Sequence, residues 1–381
     1  MSAVIAPVAR YAARFHGVAG DRHQVASPLG AWLLLALCAS ASASASASAD
    51  LEDALGMSAE DARESAEALL AAPHDAVLAA AALWARRGVA LDGLPDVVET
   101  GDLPTQERLD AWARERTLGL IERFPLTLTP DTLLVLATAL ATKVSWERPF
   151  ELAPAADLGG AFADRLTTAL RTPEEYGHRA AIAHTAAAGD VAVHTARARE
   201  GLAVTSVAAT PGVPAADVLA AAHEVAAGGG THRSLFELPL RDTPLWTLRE
   251  RRAPTTRPDG REERCAAVLP AWEARGDHNL DRPELGFPAA RRLLEERLGR
   301  SLDYEARQAA VARYSRVGFE AAAVSAMMTT TSFQVPRDGV VREAVLRFGH
   351  PYAVVAVATG AGPWHGVPVF SAWIADPRDA S

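Results

Sequence analysis

Few residues of this sequence stand at spacings that chemistry requires. His223-Glu224 has the first histidine and the glutamate of a zinc-hydrolase helix, but no second histidine follows four residues on. The Gly228–Gly230 cluster lacks the lysine and Ser/Thr of a phosphate-cradling loop, and no Gly-x-Ser-x-Gly elbow occurs. Two cysteines, Cys38 and Cys265, make neither a zinc-ligand spacing nor a disulfide framework, and buried free thiols are expected. His184 and His194 lie in Ala-rich sequence and are expected at the surface. No catalytic residue, metal ligand or cofactor is assigned. What remains is Gly318–Phe333, GFEAAAVSAMMTTTSF, a run of small side chains with a single charge. As a strand it would place Phe319, Ala321, Ala323, Ser325 and Met327 on one face and Glu320, Ala322, Val324, Ala326 and Met328 on the other. Ala321–Ala326 also fits a helix and Met327–Phe333 an exposed connection. Turn-rich Gln334–Gly339 follows.

Composition narrows the classes. At 381 residues with 49% hydrophobic and 22% charged side chains, the chain can bury a sizeable core. A net charge of −9 argues against a nucleic-acid partner, because phosphate binding needs concentrated Lys and Arg. Trp32–Cys38, WLLLALC, imitates a signal core. Mixed sequence with Arg10, Arg14, Asp21 and Arg22 precedes it, however, and it falls far short of the ~18 residues of a membrane span. A buried helix is expected there, in a soluble, cytoplasmic monomer without a membrane partner; an extracellular location is the alternative.

The elements follow from periodicity and breakers. Pro7–Phe15 reads as a helix, Ser27-Pro28-Leu29 opens a second, Asp50–Leu55 is a short third, and Ser58 with Asp61 begins a fourth. The Ala-Ser alternation of 39–49 fits a helix end or a loop. Gln106–Arg123 is amphipathic. Leu133–Trp146 predicts one central strand covered on both faces, ended by Pro149. Strands are also expected at Val191–Thr195, Leu202–Ala208, Leu269–Arg275, Val345–Phe348, Tyr352–Ala358 and Val367–Ile374, with a helix at Ala289–Leu298. Trp112, Trp146 and Trp373 are expected in the core.

Four separated blocks resemble the serpins, in serpin order. They are Ser27-Pro28-Leu29; Leu109-Asp110-x-Trp112 with Thr117-x-Gly119-x-Ile121; Leu136–Phe150, closing on Lys143-x-x-Trp146-x-x-Pro149-Phe150; and the C-terminal hinge with its closing strands. Leu269-Pro270 is a weaker fifth. The likeness covers roughly 6–152 and 269–377, and 153–262 matches poorly. It implies a single-domain α+β protein, with three β-sheets, eight or nine α-helices and an exposed reactive loop at about 318–345.

The same resemblance implies a function. A serine protease, chymotrypsin-like or subtilisin-like, would cut the loop near Ser332–Phe333, with Arg337 a trypsin-like alternative further on. The loop would then enter the main sheet as an extra strand from the hinge Gly318, Phe319, Glu320, Ala321, Ala322, Ala323, whose alanines are small enough to thread between strands. Ser27, Thr138, Lys143, Trp146 and Gln308 would lie where that sheet opens. Thr138 and Gln308 replace the usual Asn and His, Arg316-Val317 replace an acidic pair, and Phe319 replaces a small residue. A bulky first entrant should slow insertion, so the alternative is a serpin-fold protein that binds without inhibiting.

Overall fold

The computed structural model describes residues 3–39, 45–87, 96–174, 176–299, 301, 305–319 and 337–381. Helix α1 (Ile5–Ala19) buries Val8, Tyr11, Ala12 and Phe15 along one stripe, as their three- and four-residue spacing requires. After β1 (Gln24–Ala26), Ser27 caps α2 (Pro28–Cys38): its Oγ accepts from the Gly30 N–H, and Pro28 sits where no N–H is needed. Pro28 to Leu37 are all buried, matching a segment apolar on every side. Helix α3 (Ala45–Leu55) takes up the end of the Ala-Ser tract, and α4 (Ala59–Ala71) starts at Ser58, whose Oγ accepts from the Asp61 N–H.

Strands β2 (Leu78–Ala85), β3 (Val98–Asp102) and, beyond helix α5 (Gln106–Arg116), β4 (Leu134–Ala141) form a sheet in the order β3-β2-β4. Leu109, Trp112 and Ala113 of α5 pack on Trp84, Val135, Ala137 and Ala139, with Trp84 and Trp112 edge to face at 5.3 Å. The helix ends before the expected Arg123 because Leu118 (φ 56°) and Gly119 (φ 80°) turn left-handed, folding Ile121 and Phe124 back onto this cluster. Burial alternates along β4 between full and partial: Val135, Ala137 and Ala139 pack with Leu109 and Trp112 of α5, while Leu134 and Leu136 on the other face pack with Leu37 of α2 and with Ala81 and Leu83. The strand expected over Leu133–Trp146 is thus covered on both faces, but its central position is corrected: β4 is an edge strand, and Thr142-Lys143 separates it from β5 (Val144–Ser145).

The Ala-rich middle, where periodicity is weak, holds β6 (Glu151–Pro154), α6 (Gly160–Ala163), β7 (Thr168–Arg171), β8 (His178–Thr185), β9 (Gly189–Arg197), β10 (Leu202–Ala208), α7 (Ala215–Ala226), β11 (Thr231–His232), β12 (Trp246–Thr255) and β13 (Arg261–Leu269). Pro270, with no N–H for a ladder, divides β13 from β14 (Trp272–Asn279), so the strand expected at Leu269–Arg275 is two. Helix α8 (Phe287–Leu298), β15 (Arg307–Tyr314), β16 (Gly318–Phe319), β17 (Arg337–Arg347), β18 (Tyr352–Ala358) and β19 (Pro368–Ile374) complete the chain.

The described residues form eight α-helices and sheets of seven, five, four and three strands, a mixed α+β fold. Four sheets appear where three were expected, because β4 is not hydrogen-bonded to β15. Two compact units divide the chain. One comprises Met1–Lys143, Ala274–Ala312 and Val355–Ala372, and holds the β3-β2-β4 sheet. The other comprises Val144–Glu273, Arg313–Val354 and Trp373–Ser381, and holds the five-stranded sheet β12-β17-β13-β7-β6.

Candidate functional site

The segment expected to be the hinge begins as a tight hairpin. Tyr314 at the end of β15 faces Phe319, and Ser315 N–H and Oγ–H both donate to the Gly318 carbonyl, at 3.0 and 3.1 Å. On its other edge β16 pairs antiparallel with β5, Gly318 with Ser145 and Phe319 with Val144. Four hydrogen bonds fasten the turn between them. Trp146 N–H donates to Val317 O at 3.0 Å and Trp146 Nε1–H to Ser315 O at 3.0 Å. Phe150 N–H donates to Arg316 O at 2.9 Å, and Arg316 Nε–H returns a bond to Phe150 O at 3.1 Å. Arg316, which departs from the serpin pattern, thus has a structural partner in this chain.

Aromatic packing completes the seat. Phe319 is 3% exposed and meets Trp272 edge to face; Trp272 stacks on Tyr314 at 5.6 Å, and Tyr314 lies 5.0 Å from Trp146. Phe319 therefore already occupies a core position in the uncut chain.

Beneath Phe150 lies a pair that sequence reasoning missed. His178 and His194 rings stack at 5.3 Å, with Phe150 4.3 Å from His178 and 5.4 Å from His194. His178 Nε2–H donates to the Arg148 carbonyl at 2.8 Å, so its Nδ1 accepts from His194 Nε2–H across 3.1 Å. Burial depresses both pKa values below the usual histidine range, His194 further because His178 is beside it. His194 is 0% exposed, which corrects its expected surface position. Alternation of Val191, Val193 and Thr195 with Ala192 and His194 carries no sign of which face is core. By contrast His184 is exposed, paired with Asp190 at 2.7 Å.

In the first unit the predicted polar residues come together at the start of α2. Gln308 brackets Ser27: its Oε1 accepts from Ser27 N–H at 3.0 Å and its Nε2 donates to Ser27 O at 2.7 Å. Ser27 Oγ–H donates to Val369 O at 2.9 Å, and Thr138 Oγ1–H to Gly30 O at 3.0 Å. The approach at Gly30 is close: a Cβ there would come within 3.2 Å of Leu140 Cδ1 and 3.3 Å of Ser27 Oγ, and those side chains would have to give by a few tenths of an ångström. Beside the cluster is a cavity of about 240 Å³, reaching from Gln308 and Ala309 of β15 to Thr138 and Leu140 of β4 and on to Trp112 and Phe124. It is the space left where β4 and β15 remain unpaired.

The structure brings Ser27, Thr138 and Gln308 into one cluster and Trp146, Gly318 and Phe319 into another. Lys143 is exposed between β4 and β5. Glu320, Ala321, Ala322, Ala323, Ser332 and Phe333 lie outside the described residues. Arg337, the alternative cleavage position, starts β17 and pairs with Thr255. A protease needs a free extended backbone, so Arg337 is unsuited to that role. Cys38 and Cys265 are half-buried, their thiols pushed up to about 12 by burial.

No family model and no curated protein matches the chain. Solved structures do. Over 98% of this chain and 94% of the other, it is similar to the thermophilic serpin tengpin in the native state, with TM-score 0.67 and 11% identity. Serpin48 of the insect Tenebrio molitor is similar over 97% of both chains, with TM-score 0.62 and 13% identity. The chain has the serpin fold. Thyroxine-binding globulin, solved with thyroxine, shares it with TM-score 0.63, 12% identity and 99% of both chains covered. The same fold is thus shared by proteins called serpins and by a thyroxine-binding globulin, and at such identities it carries no activity across by itself.

Proposed function

We propose that this serpin-fold protein inhibits a serine protease by offering residues 320–336 as a substrate and then inserting the cut segment beside β15. The observation that carries the reading is the seating of Gly318–Phe319 between β5 and β15, with a cavity between β15 and β4 further along. In the reaction the protease serine Oγ adds to the Ser332 carbonyl carbon, and its proton passes to the protease's base and then to the Phe333 nitrogen. The Ser332–Phe333 bond breaks, Phe333 leaves as a new amine, and Ser332 stays esterified to the protease.

Register supports a path for the freed strand. Six residues back along β15 from Tyr314 is Gln308, and six on from Phe319 is Ser325. The same step back from Val144 reaches Thr138. A small hydroxyl would thus arrive between the amide and the hydroxyl already gathered at Ser27, where it can hydrogen-bond instead of leaving a polar group unpaired. The protein acts as a monomer in the cytoplasm on this reading; no described helix is long and apolar enough to cross a membrane.

A second reading is a serpin-fold protein that binds without inhibiting. The fastening of the Arg316-Val317 turn and the likeness to thyroxine-binding globulin favour it. The two are separated by mixing the protein with chymotrypsin-like, subtilisin-like and trypsin-like proteases. A covalent complex that survives boiling in detergent is expected; clean cleavage by all three, without complex, rejects inhibition.

A further inference from the structure

Strand β17 leads directly out of residues 320–336, and it is held on both sides. β12 pairs with it antiparallel through ten residue pairs, from Trp246 with Leu346 to Thr255 with Arg337. β13 pairs with it parallel through eight, from Arg261 with Val340 to Val268 with Arg347. Because β12 and β13 are consecutive strands, β17 lies between the two arms of a hairpin whose connection closes over it. At the closure a Cβ on Gly339 would meet Thr255 Cγ2 at 2.3 Å and Gly260 O at 2.5 Å, so only glycine fits, and Val340 N–H donates to Gly260 O at 2.8 Å.

Side chains repeat the arrangement. Glu343 stands between arginines of both arms: Arg251 donates to it from Nε and Nη2 at 3.1 and 2.7 Å, Arg264 lies at 3.8 Å, and Arg249 is its cross-strand partner. Arg342 pairs with Glu250 at 2.8 Å, donates to Leu235 O and Leu238 O, and lies over the Phe236 ring. Each exposed ion pair contributes little alone. The two backbone ladders are the larger constraint, because β17 can leave only by breaking both along their length.

We infer that β12 is a lock on β17, which prevents the intact chain from inserting its loop fully until a protease cuts it. The inference rests on the insertion reading. An uncut segment anchored at Phe319 and at Arg337 can extend its run in a sheet beyond its own slack only by drawing residues out of β17. With β17 held by two strands that route is closed, whereas a cut frees the upstream end and leaves β17 in place. The uncut protein therefore stays in its cleavable form.

The test holds intact protein for days about 10 °C below its melting temperature and samples cleavage of residues 320–336 by subtilisin. Wild type should remain cleavable. Glu343→Arg, which leaves four arginines facing one another, should lose cleavability and gain heat stability at least tenfold faster. Wild type converting as fast as the variant overturns the lock, as does a folded variant that stays cleavable as long as wild type. Amide hydrogen exchange on wild type needs no variant. The β17 amides should be among the slowest of the five-stranded sheet, and exchange faster than in β6 and β7 overturns the lock. Cleaved wild type separates the two readings: no rise in melting temperature there removes insertion itself, while exchange at β17 still reports on the lock.

Discussion

Phe319 meets Trp272 edge to face, ring centroids 6.1 Å apart and planes at 75°, so the first large side chain of the hinge belongs to the core before any bond is cut. A small residue would enter a slot more easily, but a ring already seated has no entry to make. It also anchors the chain immediately upstream of residues 320–336.

Phe319→Thr should therefore harm the protein. Losing a buried ring against Trp272 should cost about 3 kcal/mol, near the lower end for truncating a core phenylalanine. Urea unfolding followed by tryptophan fluorescence measures it. In an inhibition assay the variant should be turned over as substrate more often than wild type; better trapping by the variant would show that the ring is an obstacle after all.

Ser325→Glu tests the register without touching the hinge. Its carboxylate would arrive beside Gln308 and Thr138, and burying an unpaired charge costs several kcal/mol. Subtilisin should cut the variant as fast as wild type, yet the rise in melting temperature after cleavage should largely vanish. A rise equal to that of wild type would place another residue at Gln308.

Gln308→Ala removes both bonds to the Ser27 backbone and leaves the Ser27 N–H without that acceptor. The expected loss is about 1–3 kcal/mol, read from denaturant midpoints. Gln308→Glu keeps an acceptor for Ser27 N–H but sets a carboxylate oxygen against Ser27 O where a donor stood, and should cost more than Gln308→Ala.

Acid should destabilise the fold through buried histidines. His178, His194, His223, His278 and His350 all have pKa values depressed chiefly by burial, His223 to about 4. Their folded pKa values lie below the unfolded 6.5, so the unfolded chain binds protons first as pH falls. Stability is thus full above pH 6.5 and declines below it toward the folded values. His223 alone accounts for on the order of 3 kcal/mol by pH 4. Melting temperatures between pH 7.5 and 4 check this, and a pH-independent melt over pH 6.5–4.5 would contradict it.

Local signals were legible from the residues alone. Ser27 and Ser58 announce helix starts because a side-chain oxygen answers an orphan N–H within three residues, and the closing strands at Tyr352–Ala358 and Pro368–Ile374 announce themselves by apolar runs broken only by Ser371. The polar trio Ser27, Thr138 and Gln308 was legible through its resemblance to serpin positions.

Pairing was not legible. Whether the free edge of β4 is paired or stands beside a cavity depends on β15, more than 160 residues along the chain, and nothing in Leu134–Ala141 encodes that distance. His194 and His184 sit in similar sequence, yet only the sheet decides that one is sealed beneath Phe150 and the other faces Asp190. Likewise β12 reads as an arginine-rich surface segment until β17 is seen between it and β13. Sequence determined where strands and caps begin, because those interactions close within a few residues. Tertiary structure decided which edges are joined and which is left open, because a backbone ladder is indifferent to side-chain identity and forms wherever packing brings two chains together.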